Sequence, residues 1–387
     1  MRPSAPTTIY LDYNATTPLD PALRDLMATA QDQAWGNPSS VHHVGRLARA
    51  LLDDARDRLA ASLVCKPSEI VFTGGGTEAN NLAVFGCARA RRPDFRHLVS
   101  TTIEHPAVLQ AFEALVRYEG FTWSKVAVDA SGRVAPEDIT SALRPDTALV
   151  SVMAANNETG VLQPVAAIGQ ICRSRGIPFH TDALQWFGKE SLAGIRDFEA
   201  DLVTLCAHKI HGPRGAGALW IRSPLRVEPL QVGGGHELDR RAGTENLPAI
   251  LGFVAAVERF VPTPVFDRSR LTPWMNRLTE CLAGVEGVTL HGLKVPRLAN
   301  TLAMSVAGAD SLSLIANLDL AGVCASSGSA CSSGSITPSH VLLAMGCSPE
   351  MASSLVRLSL GRENTDEEIA TVCNGLPRWI AQARRKS

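Results

Sequence analysis

Between residues 69 and 221 the chain alternates short β-rich runs with helical patterns, and that alternation constrains the fold more than any other feature. Residues 69–73, 97–101, 147–153, 178–181, 202–205 and 217–221 read as strands. Residues 78–90 and a stretch from about Ala107 read as helices. Strands alternating with helices make an α/β fold with a mainly parallel sheet covered on both faces. Ligands of such sheets sit beyond the carboxyl ends of the strands, where loops lead into helices. A proline-marked stretch, 261–264, follows the helical run Leu247–Phe260 and is the expected boundary to a smaller α+β domain. The last helix is expected to begin at Thr365, with Glu368 three residues on as the partner in a capping box.

The 387 residues suit one large and one smaller domain. With 37 basic and 38 acidic residues the net charge is -1, so no global field favours nucleic acid or an anionic membrane. No apolar run approaches the ~20 residues that a bilayer span needs, and the N-terminus lacks a basic-then-apolar export pattern, so the cytoplasm is expected. The nine cysteines include no C-x-x-C pair, and are expected to be free thiols rather than disulfides or a structural zinc site.

Three strand-end motifs carry chemistry. Thr73-Gly74-Gly75-Gly76-Thr77-Glu78 puts a glycine run between a strand and a helix, where backbone N–H groups and the helix dipole can hold a phosphate. A plain glycine turn with a Thr cap is the alternative. The run fits neither nucleotide fingerprint, G-x-x-x-x-G-K-[ST] or G-x-G-x-x-G. His180-Thr181-Asp182-Ala183-Leu184-Gln185 offers an acid that could keep a pyridine-type cofactor protonated, or simply cap a helix. Leu205-Cys206-Ala207-His208-Lys209 ends on a lysine able to bond covalently to a cofactor aldehyde, a role few lysines have. The order phosphate loop, then Asp182, then Lys209 strengthens all three readings.

At this point the chain resembles the cysteine desulfurase family, fold type I pyridoxal-phosphate enzymes of the nitrogen-fixation and iron–sulfur-assembly branch. The resemblance runs from Tyr10-Leu11-Asp12-Tyr13-Asn14-Ala15-Thr16-Thr17-Pro18 to Leu358-Ser359-Leu360-Gly361-Arg362. It includes Gly36-Asn37-Pro38-Ser39-Ser40, Glu104-His105-Pro106, Ala155-Asn156-Asn157-Glu158-Thr159-Gly160, Arg241-Ala242-Gly243-Thr244 and Ser327-Gly328-Ser329-Ala330-Cys331. It implies a large domain, 16–261, around a mainly parallel seven-stranded sheet, and a small domain made of 1–15 and 262–387 that carries a cysteine loop at about 325–335. It further implies that Lys209 is the Schiff-base lysine, that Asp182 partners the pyridinium nitrogen and that Gln185 bonds the phenolic oxygen. Gly76, Thr77 and His208 would hold the phosphate, with Thr244 reaching over from the neighbouring subunit of a homodimer. His105 would stack on the ring and move protons, and Asn157 and Arg357 would bind the substrate carboxylate. Cys206-Ala207 stands where the housekeeping branch has Ser-Gly, so position 206 would contact the cofactor through a thiol, and the nitrogen-fixation branch is the nearer likeness.

Cys87, Cys172, Cys281 and Cys373 sit among apolar helical neighbours, as buried thiols usually do. Cys331 instead lies in 325–335, a stretch of Ser, Gly and Ala alone, where an exposed thiol needs a reason to be retained. Acceptance of sulfur as a persulfide is that reason, and a tolerated surface cysteine is the alternative. Cys331 would also be the transient ligand of an iron–sulfur species. The expected activity converts L-cysteine to L-alanine and passes sulfur to an iron–sulfur scaffold or another acceptor protein. A selenocysteine lyase, an aminotransferase and a non-enzymatic sulfur-binding protein remain alternatives from these residues.

Overall fold

The computed structural model describes residues 8–328 and 337–384. Its strands in chain order are β1 (Ile9–Tyr10), β2 (Ile70–Thr73), β3 (His97–Thr101), β4 (Thr122–Val126), β5 (Thr147–Ser151) and β6 (Phe179–Asp182). They continue as β7 (Leu202–Cys206), β8 (Gly217–Ile221), β9 (Val288–His291), β10 (Thr301–Val306), β11 (Val323–Cys324) and β12 (Val356–Ser359). The central sheet has seven strands in the order β2-β8-β7-β6-β5-β3-β4. Only β8 runs against its neighbours, antiparallel to both β2 and β7. The other strands therefore point one way and end at a common edge.

Every residue of β2, β3, β5, β6, β7 and β8 is buried, as strands covered on both faces require. The strand β4 was not read from the sequence. It lies at the sheet edge, and of its Thr-Trp-Ser-Lys-Val only Val126 is buried, so it lacks the apolar run that betrays a central strand. The expected helix 78–90 forms as three consecutive segments, Gly76–Asn81, a π turn Leu82–Gly86, and Cys87–Ala90. Helices Pro21–Gln33 and His43–Leu63, also unread, pack on Leu247–Phe260 against the sheet.

A second core gathers Ile9, Leu11 and Tyr13 with Phe266, Trp274, Leu302, Leu358 and Trp379. There β9, β10 and β12 form an antiparallel sheet, and β1 pairs with β11. The chain thus leaves the second core after Tyr13 and re-enters it at Phe266, so residues from both ends of the sequence face the edge of the main sheet. The final helix, Asp366–Arg384, opens with the expected reciprocal cap: Glu368 N donates to Thr365 Oγ1 and Thr365 N to Glu368 Oε2, both at 3.2 Å. No helix among the described residues is long and apolar enough to cross a membrane.

Candidate active site

The carboxyl ends of β2, β3, β5, β6 and β7 deliver the glycine run, His105, Asn157, Asp182 and Lys209 to one edge of the sheet. Two adjoining cavities lie there, and the expected site residues divide between them.

The first, about 760 Å³, is lined by Thr16, the run Gly74–Glu78, His208, Arg214 and Gln231. Gly75 has φ 149°, a conformation that side chains strongly disfavour. A Cβ on Gly217 of β8 would lie 3.0 Å from the Gly75 backbone, so the loop packs backbone to backbone on its neighbouring strand. A Cβ on Gly76 would lie 2.0 Å from Leu184 Cδ2. Glycine here keeps the helix N-terminus low and its N–H groups open to the cavity, which fits a phosphate. Burial pushes His208 down to about 4, so it is neutral at physiological pH; its Nδ1 lies 3.2 Å from Thr16 Oγ1. Arg214, which the sequence reading passed over, adds a permanent positive charge to this wall.

The second cavity, about 650 Å³, brings together Asn14, His105, Asn157, Asp182, Gln185, Lys209 and Arg357. Asp182 is 5% exposed; Asn80 Nδ2 donates to its Oδ2 at 2.7 Å, and Leu184 N to its Oδ1 at 3.0 Å. Asn80 lies on the helix that follows the glycine run, so the phosphate loop and the acid are tied together. Lys209 Nζ donates to Asn14 O at 2.5 Å and Ala15 O at 2.9 Å. Burial lowers the Lys209 pKa from its ordinary value, with Arg357 adding to the effect and Cys206, Asp182 and Asp12 opposing it. Desolvation of this kind makes a lysine amine available as a nucleophile and base.

His105 caps helix Pro106–Glu119, its Nδ1 accepting from Ala107 N at 3.1 Å. Burial pushes its pKa down, with Lys209 and His340 adding to that and Asp182 opposing. A neutral imidazole whose Nδ1 accepts must carry its proton on Nε2. His340 Nε2 lies 3.0 Å from Glu104 O, and this ring lines the cavity beside His105.

Arg357, on β12, is 3% exposed. Its guanidinium donates to Asp12 Oδ1 at 2.7 Å and to Asn157 O at 2.8 Å, while its buried Nε has no partner among the described residues. A buried donor left over beside a cavity suits an incoming carboxylate. Ser326 pairs with Arg357 through the backbone, N–O distances being 2.7 and 3.2 Å, so the start of the Ser/Gly stretch is fastened to β12. Ser326, Gly328, Thr337 and Pro338 line the same cavity.

Three expected site residues stand apart. Cys206 is 1% exposed, its thiol is pushed up to about 12 by burial, and it lines neither cavity. Thr244 is exposed and also lines neither, although Arg241 Nε, 2.8 Å from Glu78 Oε1, holds its segment beside the glycine run. Cys331 lies outside the described residues, as do its expected persulfide and metal roles. Among the described residues no group of three or more His, Cys, Asp or Glu side chains could hold a metal ion.

A glycine phosphate cradle, a held carboxylate, a desolvated lysine and an open arginine at one sheet edge define a fold type I pyridoxal-phosphate enzyme. The chain belongs to the class-V aminotransferase family, whose sequence pattern matches residues 9–372. It is similar to the cysteine desulfurase IscS of Dictyoglomus turgidum, 39% identical over 377 residues that cover 97% of this chain and 95% of the relative. Among solved structures it is similar to a NifS-like protein, with a TM-score of 0.89 and 32% identity over 97% of this chain and 99% of that one. It is also similar to SspA in complex with cysteine, with a TM-score of 0.81 and 34% identity over 92% and 100% of the two chains.

Proposed function

We propose that this protein is a pyridoxal-phosphate-dependent cysteine desulfurase that converts L-cysteine to L-alanine and holds the sulfur on Cys331 as a persulfide. One observation carries the reading: the cavity walled by Lys209, Asp182, Gln185 and Arg357 is also lined by residues on both sides of Cys331, Ser326 and Gly328 in the first part of the Ser/Gly stretch and Thr337 and Pro338 just after it. Its relatives named for cysteine desulfuration support the same substrate.

The residues present fit the cofactor. Gly76, Thr77 and His208 would hold its phosphate, with Thr244 of the partner subunit completing that site in a homodimer. Asp182 would keep the ring nitrogen protonated, and Gln185 would donate to the ring oxygen. When bound, the cofactor supplies an electrophilic carbon and a ring that withdraws charge from the substrate Cα. Arg357 and Asn157 bind the cysteine carboxylate. Lys209, its amine favoured by burial, accepts the Cα proton. His105 would lie against the ring and move protons through Nε2. The Cys331 thiolate attacks the substrate sulfur, forming an S–S bond as the Cβ–S bond breaks; the released electron pair is finally protonated at Cβ to give alanine. Cysteine and thiol become alanine and persulfide, so no external oxidant is needed. The sulfur then passes to an iron–sulfur scaffold or another acceptor protein. The division of labour follows a large domain, 16–261, carrying the cofactor and a small one, 1–15 with 262–387, carrying Arg357 and Cys331.

Cys331→Ser tests the proposal. The variant is expected to bind pyridoxal phosphate and change its visible spectrum on adding cysteine, while alanine and sulfide release collapse. Mass spectrometry of the wild type after cysteine treatment should find one extra sulfur on the peptide carrying Cys331. Wild-type turnover by Cys331→Ser would favour a selenocysteine lyase, and a stoichiometric keto-acid product an aminotransferase.

A further inference from the structure

Besides Lys209, a second lysine is buried beneath the cavity and has no part in the mechanism above. Lys189 is 4% exposed. Its Nζ lies 2.6 Å from Asn14 Oδ1 and 2.7 Å from Gln185 Oε1, with the Phe266 ring centroid at 5.0 Å. Burying an amine this deeply costs several kcal/mol unless it is well partnered. Two acceptors and an aromatic face are what this amine has. Burial pushes its pKa well below the ordinary lysine value, and Lys209 and Arg357 add to that while Cys206 opposes it. Charged or neutral, its N–H groups donate to both acceptors.

The consequence lies in the two amides. A primary amide can face a site with either its oxygen or its nitrogen, and the choice is made by its partners. Here the N–H groups of Lys189 hold the oxygen of Gln185 against Nζ, so Gln185 Nε2 must turn the other way. It donates to Asn14 O at 2.8 Å, the carbonyl that also accepts from Lys209 Nζ. Asn14 is sorted likewise. Its Oδ1 accepts from Lys189 and, at 3.0 Å, from Asn300 Nδ2, while its Nδ2 donates to Thr301 Oγ1 at 2.9 Å and Asn157 O at 3.3 Å. One buried amine thus orients both amides that flank Lys209 in the cavity wall.

We infer that Lys189 is a positioning residue: by holding Gln185 Oε1 and Asn14 Oδ1 it compels Gln185 to present an N–H donor, rather than a carbonyl, to the ring oxygen of the cofactor. The inference rests on the proposed function only in taking Gln185 as the ring-oxygen partner.

The experiment compares cofactor-loaded wild type with Gln185→Ala, Lys189→Met and the double variant. Each is titrated with alkali and acid while the visible absorption band is followed, and cofactor affinity is measured by adding pyridoxal phosphate to the apo-protein. The N–H donor favours the form with more negative charge on the ring oxygen, so its loss should move the titration midpoint upward by about one pH unit. Gln185→Ala is expected to show that shift. Lys189→Met should show most of it, with cofactor affinity reduced by no more than the Gln185→Ala variant. The double variant should move little beyond Gln185→Ala, because Lys189 acts through Gln185. A wild-type midpoint in Lys189→Met, with Gln185→Ala shifted, overturns the inference and leaves the proposed function standing. Fully additive shifts overturn it too. An unmoved Gln185→Ala midpoint overturns the Gln185 assignment itself. Where Lys189→Met does not fold, Lys189→Gln takes its place: its amide lets Gln185 lie either way round, so the midpoint should fall between wild type and Gln185→Ala, and a wild-type midpoint overturns the inference.

Discussion

At the scale of single residues, the site depends on groups whose properties burial has shifted. Lys209→Ala removes the amine that the cavity desolvates, and no other lysine among the described residues lines that cavity. The variant should lose the visible band of the bound cofactor and all turnover above background, while its fold, followed by circular dichroism, stays intact. Glu104, next to His105, makes a different prediction. It is wholly buried; its Oε1 accepts from Thr101 Oγ1 at 2.5 Å and Met153 N at 3.1 Å, and its Oε2 has no partner among the described residues. Burial raises its pKa to about 8, with Asp182 adding to the shift. The native state therefore holds this proton across a range where the unfolded chain has released it. That stability is fully present below the ordinary carboxyl pKa of 4.5 and is lost as pH rises through about 8. Glu104→Gln removes the titration. Urea unfolding should show the variant gaining on wild type between pH 5 and 8, at up to roughly 1.4 kcal/mol per pH unit. A stability difference independent of pH would show that Glu104 is ionised in the fold. Asp182 and Lys209 were legible in the sequence because strand ends advertise themselves. Asn80, Asn14 and Lys189 were not, because Asn80 meets Asp182 across 102 residues and Lys189 meets Asn14 across 175, and no spacing marks an amide or a buried amine.

At the scale of elements, the glycine run shows two kinds of close approach with different consequences. Gly76 faces the end of a flexible side chain, Leu184, which itself lines the main cavity. Gly76→Ala should push Leu184 into the cofactor's space and weaken pyridoxal phosphate binding by about tenfold, with the melting temperature of the apo-protein little changed. Gly217 instead faces backbone, with Leu205 O at 2.8 Å and Gly75 at 3.0 Å from an added Cβ. Backbone cannot step aside, so Gly217→Ala should destabilise the apo-protein by about 1–3 kcal/mol as well as weakening cofactor binding. Equal effects of the two substitutions on stability would contradict this distinction. The glycine run itself was legible as a strand-to-helix turn. Its need for Gly217 was not, since that contact joins residues 142 apart in sequence that are adjacent only because β8 is inserted between β2 and β7. The edge strand β4 and the helices Pro21–Gln33 and His43–Leu63 were missed for a related reason: solvent-facing positions dilute their apolar pattern.

At the scale of the whole molecule, one protomer leaves part of the proposed site unaccounted for. Thr244 is assigned to the phosphate, yet it points into neither cavity of its own chain. Exposed apolar side chains sit on segments tied to its own: Ala242 N donates to Gln231 O at 3.2 Å beside Val232, which is 84% exposed, and Ser39 Oγ, 3.3 Å from His236 Nε2, joins on the segment of Trp35, 70% exposed, and Val41, 87%. Large apolar side chains gathered on one surface are the usual mark of a subunit contact. A two-fold axis there would let each protomer lend Thr244 to the other's glycine run, since an isologous contact makes every such exchange reciprocal. Mixing subunits tests the exchange directly. Lys209→Ala and Thr244→Ala, each weak or inactive alone, are combined under conditions where subunit exchange is demonstrated by mass. In a mixed dimer, the site with the mutated Lys209 also receives the mutated Thr244, and the other site receives neither lesion. With random exchange about a quarter of all sites should regain wild-type turnover. If Thr244 served its own chain, every site would keep one lesion and the mixture would be no more active than the average of its parents.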